Sequence, residues 1–138
     1  MKLLSFCFAL IFLAACKKED PFYAIHYAGH YKGTVQVRED SNSVTLVEDS
    51  LAFFPTMEAH RLHLMGTITH VETIEMSSES FQIPLTVIGD NGVVEFVESG
   101  EGYFKENKVY IDLFSAQRIK SSGAIIKSWR KKGTLEKQ

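Results

Sequence analysis

The sequence predicts an all-β protein: an antiparallel barrel of eight to nine strands, with a β-sandwich as the alternative. Three observations carry that expectation. Apolar residues recur at every second position through most of the chain, turn-forming residues separate those runs at close spacing, and no convincing amphipathic helix interrupts them. Successive side chains of a strand point to opposite sides, so each alternating run reads as a half-buried strand.

The elements follow in order. In "YKGTVQV", Tyr31, Gly33, Val35 and Val37 share one face, and Lys32, Thr34 and Gln36 the other. Asp40-Ser41-Asn42-Ser43 supplies a turn before "VTLV". Leu62, Leu64, Gly66 and Ile68 make another one-sided row, preceded by a loop over Pro55 to Ala59 and followed by one over Ser77 to Ser80. Phe81, Ile83, Leu85 and Val87 continue the pattern. Within it, Pro84 cannot donate a ladder hydrogen bond, so that strand lies at an edge or carries a bulge. Asp90-Asn91-Gly92 contains Asn-Gly, a strong hairpin signal because both residues accept positive φ cheaply. Glu106-Asn107 and Ser121-Ser122-Gly123 bracket a strand with Val109, Ile111 and Leu113 on one face. Residues 21–29 read as a short turn or helical cap across one end of the sheet.

The first twenty residues have a different character. Lys2 precedes an eleven-residue apolar run, Leu3 to Leu13, which falls well short of the ~20 residues a spanning helix needs. The run ends in Leu13-Ala14-Ala15-Cys16, which resembles the lipobox of bacterial lipoproteins. The resemblance implies cleavage before Cys16 and a diacylglycerol on its thiol, with two or three acyl chains in all. One chain gives marginal membrane binding, and more chains make anchoring effectively permanent. Lys18-Glu19-Asp20 also resembles the Lys-acidic-acidic surface-export signal of Bacteroidota lipoproteins, and is equally a plain polar tether. The expected organisation is a signal peptide over 1–15, a lipidated tether and cap over 16–29, and a barrel over 30–138. The expected address is the cell envelope, lipid-anchored at the outer membrane on its periplasmic or surface face.

Removing residues 1–15 leaves 123 residues with thirteen aromatics and moves the formal charge from −2 to −3. A slightly acidic domain of this size carries no electrostatic footprint for nucleic acid. The basic cluster Lys127, Arg130, Lys131 and Lys132 reads as one solvated strand face. With Cys7 removed and Cys16 acylated no disulfide is available, so the apolar core alone must hold the fold.

The stretches "AGHYKGTV", "FQIPLTVIG", "GYFKENKVYIDLF" and "KKGTLEK" together resemble the small lipocalin-like lipoproteins of Bacteroidota. The resemblance implies a calyx-shaped eight-stranded barrel. Gly29-His30-Tyr31 would occupy the slot of the lipocalin Gly-x-Trp, with tyrosine for tryptophan, and Arg130 would pack over that ring.

Chemistry of the catalytic kind finds little support. His60 and His63 point to opposite faces of a strand, and His60 and His70 stand roughly 33 Å apart at about 3.3 Å per residue. His26 and His30 have helical spacing without a third ligand, so no metal site is expected. Glu72 with Glu75, and Glu95 with Glu98, also fall on opposite faces, while Glu101 and Asp112 are isolated. No Gly-x-Ser-x-Gly elbow or phosphate-binding loop is present. The protein is therefore expected not to be an enzyme, with a hydrolase as the distant alternative, and to need no cofactor besides the lipid on Cys16.

Binding remains. Tyr31, Leu62, Leu64, Phe81, Ile83, Phe96, Ile111 and Leu113 form the expected inner face. Of these, Tyr31, Leu64, Phe81, Phe96 and Ile111 are candidate contacts for a small apolar or amphipathic ligand captured in the barrel mouth, and equally candidates for a packed core. Tyr110 and Phe114 lie on the opposite face, as Phe54 does relative to Phe53. Apolar groups there imply a cover, either the N-terminal "PFYAI" or a protein partner, which makes an envelope interaction module the alternative function.

Overall fold

The structure is a computed structural model that describes residues 23–40, 43–66 and 72–138. The signal segment, Cys16, Lys18-Glu19-Asp20, Ile68 and His70 lie outside the described residues. A 3-10 helix, Tyr23–Tyr27, precedes eight strands. They are β1 (Gly29–Glu39), β2 (Ser43–Pro55), β3 (Arg61–Gly66), β4 (Glu72–Ser77), β5 (Ser80–Asp90), β6 (Val94–Lys105), β7 (Lys108–Ile119) and β8 (Ile125–Lys137). Each pairs antiparallel with the next and β8 returns to β1, so the sheet closes into an up-and-down barrel. That closure eliminates the sandwich.

The alternation dictates which side chains meet inside. Tyr31, Phe53, Phe81 and Phe104 point inward from β1, β2, β5 and β6, each no more than 2 % exposed. Their rings approach edge-on or tilted, with the Phe53 and Phe104 centroids 5.0 Å apart and those of Phe81 and Phe104 5.6 Å apart. Gly102 makes room for this cluster, since a Cβ there would come within 2.4 Å of the Phe81 ring tip. The 3-10 helix seals this end of the barrel. Tyr27 stacks on Phe104 at 4.6 Å, the Tyr23 hydroxyl donates to the Met76 carbonyl at 2.6 Å, and the Ala24 N–H donates to the Ala59 carbonyl.

The other half is built differently. β2 meets β3 only from Leu51 to Pro55, β3 meets β4 from Arg61 to Leu64, and β4 meets β5 from Glu75 to Ser77. All three ladders lie in the capped half. Beyond them, among the described residues, Ser43–Ser50 of β2 pairs only with β1, and Thr86–Asp90 of β5 only with β6. Ser43 to Glu48 are accordingly exposed on both faces of the strand.

Pro84 lies at a bulge, one of the two outcomes expected of it, because the β5–β6 register shifts between Ile83 and Thr86 and again between Val87 and Gly89. Several other expectations need correction. Those shifts remove Leu85 and Val87 from the row of Phe81 and Ile83, and both are exposed. Phe96 lies opposite Gly89, where β5 pairs only with β6 among the described residues, and is exposed rather than buried. Arg130 faces outward across from Arg38, seven positions from the residue that faces Tyr31. The cation above the Tyr31 ring is Lys137, 5.9 Å from its centroid. The basic cluster is no single face either: Arg130 and Lys132 point out, while Lys131 is buried inside. Of the expected cover "PFYAI", Pro21 and Phe22 lie outside the described residues, while Tyr23 and Ala24 are tied to Met76 and Ala59 at the barrel end.

Candidate functional site

Among the described residues the inward side chains of the capped half are tightly packed. Tyr31, Leu64, Phe81 and Ile111 are all buried in one continuous core, and Phe96 stands apart from them. A gap of about 10 Å³, about the minimum for one water, lies within the wall, bordered by Leu64, Ile83, Glu98 and Leu113 together with Ser99, Phe114 and Ser115. The interior does hold polar groups that the sequence reading missed. Lys131 reaches across to Asp49 and forms a buried ion pair with it, and the Ser115 hydroxyl donates to buried Glu98 at 3.3 Å. Their signal was phase: Asp49 alternates with Leu51 and Phe53, and Lys131 with Gly133 and Leu135. These charges lie where the aromatic core ends and the other half begins.

Space is found on the outer wall instead. A hollow of about 1090 Å³ runs across the outward side chains of β3 to β8, with Glu75, Gln82, Glu101, Asp112 and Phe114 among its walls. The register explains the assembly, because Arg61 faces Glu75, Glu75 faces Gln82, Gln82 faces Glu101, and Glu101 faces Asp112 on successive strands. An adjoining hollow of about 580 Å³ is walled by Tyr103 and Tyr110, whose rings stack at 4.5 Å and 5°. Both Tyr110 and Phe114 are half-buried.

Asp112 organises the charges here. It accepts two hydrogen bonds from Arg130, at 2.6 and 2.8 Å, and pairs with Lys132 at 3.2 Å. Arg130 first, and Lys132 against the opposing pull of burial, hold its carboxyl below the usual carboxylate range. Arg61, Arg130 and Lys132 balance Glu75, Glu101 and Asp112, so the hollow presents no net charge.

Among the described residues the histidines do not gather. His60 meets Glu75 at 3.5 Å with both side chains largely solvated, His63 bonds Thr73, and His30 touches Phe54 edge-on. Among the described residues no group of three His, Cys, Asp or Glu side chains comes together to hold a metal. No family model matches the chain, and neither the curated proteins nor the solved structures contain a match.

Proposed function

We propose that this protein is a lipid-anchored interaction module of the cell envelope, held at the outer membrane by acylated Cys16, which docks another envelope protein on the outer wall of its barrel. One observation carries the reading: the outer wall bears a hollow of about 1090 Å³ walled in part by Phe114, whereas Tyr31, Leu64, Phe81 and Ile111, the described inward candidates for a ligand, are packed against one another in a single core. A calyx for a drug-sized ligand needs roughly 300 Å³ or more. The apolar surfaces of Tyr110 and Phe114, set among balanced charges, supply the mixture of aromatic anchor and polar rim typical of protein interfaces. The tether supports the same role, since a barrel fixed to the membrane meets partners confined to that surface.

The test is partner capture by cross-linking in intact envelopes, comparing the natural chain with Phe114→Asp and Tyr110→Ala. The expected outcome is a partner lost from both variants while their thermal unfolding stays cooperative. An unchanged partner set would refute the outer-wall reading. Intact mass of the membrane-extracted protein tests the anchor separately, with a mass excess on Cys16 expected.

A further inference from the structure

The capped end of the barrel has two characters. On its β4–β5 and β6–β7 side the turns are polar, with Ser78, Glu79, Lys105, Glu106 and Asn107 all exposed. The corner made by the 3-10 helix and the loop between β2 and β3 is apolar instead. Met57 is 97 % exposed, Ile25 50 % and Phe54 40 %, and Pro55 is exposed beside them. The helix and the loop form one corner because the Ala24 N–H donates to the Ala59 carbonyl. This loop is held in shape. The Thr56 hydroxyl accepts from the Glu58 N–H at 3.0 Å and donates to the Arg61 carbonyl at 3.1 Å, and Arg61 pairs with the Glu58 carboxylate at 2.9 Å. Apolar groups clustered and fixed in this way mark a contact surface.

We infer that this corner is a membrane-contact face: Met57, Ile25 and Phe54 dip into the interface of the bilayer that carries the Cys16 lipid, and the barrel sits with its capped end down. The inference rests on the acylation of Cys16 proposed above. Chain length selects the bilayer as the occupant. Seven residue steps separate Cys16 from Tyr23, and no conformation lets seven steps reach beyond about 25 Å. Tyr23 is fixed to the capped end by its bond to the Met76 carbonyl, so that end stays beside the lipid. The opposite end is out of reach. β1 runs eleven residues from Gly29 to Glu39, a rise of about 25 Å along the axis of a barrel of ordinary strand tilt. A tether would have to clear the rim of the barrel before descending that far. The chemistry agrees, since an interface takes up apolar side chains, and Glu58, the charge next to Met57, enters already paired with Arg61. In this pose the outer hollow, which lies on the wall, faces sideways along the membrane.

The natural chain supplies its own control, because its single tryptophan, Trp129, lies opposite Glu39 at the far end. The test places the acylated full chain in phosphatidylcholine–phosphatidylglycerol vesicles with and without brominated acyl chains, which quench indole fluorescence on contact. Two proteins are compared: the natural chain, and one carrying Met57→Trp with Trp129→Phe, whose cooperative unfolding is checked first. The expected result is that bromine removes most of the emission of the Met57→Trp reporter and none of that of Trp129, and that adding Ile25→Asp restores the reporter. Three results would overturn the inference: a reporter indifferent to bromine, quenching of Trp129, or quenching that Ile25→Asp leaves intact. A blue shift of the reporter that bromine does not quench would place a protein or a second copy on the corner and equally exclude the bilayer. Intact mass of the same preparation separates the two proposals. An unquenched reporter on a chain that carries the acyl mass refutes this inference and leaves the anchor standing, whereas an unacylated chain refutes both.

Discussion

The two halves of this barrel are made of the same eight-strand order and solve different problems. In the capped half every strand has two neighbours, and Tyr31, Phe53, Phe81 and Phe104 fill the interior beneath the 3-10 helix. In the other half, among the described residues, Ser43–Ser50 of β2 pairs only with β1 and Thr86–Asp90 of β5 only with β6, and the interior passes from aromatic rings to the Asp49–Lys131 pair. The contrast teaches that closure and stability come from one half, which frees the other to leave apolar residues such as Leu46 and Val93 in solvent. It also explains a core with charges in it: the pair lies where the rings give out and spans the barrel, and Asp49 also accepts from the Ser50 N–H at 2.9 Å.

The comparison can be broken most forcefully at Phe104, which is fully buried and touches Tyr27, Tyr31, Phe53 and Phe81. Phe104→Ala is expected to cost about 3–5 kcal/mol, read as a lowered denaturant midpoint. Phe96→Ala, in the other half, is expected to cost far less, and equal losses would abolish the distinction. Second in size is Lys131→Met, which leaves Asp49 buried opposite an apolar chain and is expected to cost about 3 kcal/mol or more. Adding Asp49→Leu to it should restore most of that loss, because the remaining cost is then only packing. A double variant as unstable as the single one would mean that the pair does more than satisfy itself.

A smaller effect sharpens the picture at the cap. Burial first, and Tyr27 second, push the Tyr31 phenol up to about 12 from an ordinary 10.0. Its hydroxyl donates to the Tyr27 carbonyl at 2.9 Å and so must stay protonated in the folded chain. The unfolded chain releases this proton near pH 10 and the folded one near 12. The stabilisation is therefore complete below pH 10 and is lost as pH climbs from 10 to 12. Tyr31→Phe is expected to lower stability at neutral pH by about 1 kcal/mol and to flatten the alkaline decline measured by denaturation at successive pH values.

Much of the capped half is legible in the sequence because its signal is local. Tyr31 with Val35, Leu62 with Leu64, and Val109 with Ile111 and Leu113 announce their face through alternation alone, and each is buried where that reading places it. Pro84 announces its bulge through a missing donor. What was not legible depends on which strands pair, and how far. Phe96 alternates correctly, yet the stretch of β5 opposite it pairs with no described strand besides β6, and no local pattern records that. Leu85 and Val87 leave their row because of register shifts set by β6. Arg130 reads as a partner for Tyr31 only if register is ignored, since Lys137 is the residue across from that ring. Lys131 was hidden by its charge: its phase is inward, but only Asp49, 82 positions earlier, makes that burial tolerable. The outer hollow escaped for the same reason, because Gln82, Glu101 and Asp112 become neighbours only through the ladders.

The claim on which the account turns is that this barrel is a filled scaffold whose recognition happens outside it. Titration with cis-parinaric acid, a fluorescent fatty acid, tests it most directly in the natural chain and in Leu64→Trp, where a larger ring would block any internal site. The expected result is no one-to-one binding that differs between the two proteins. Saturable one-to-one binding in the natural chain, abolished by Leu64→Trp, would contradict it.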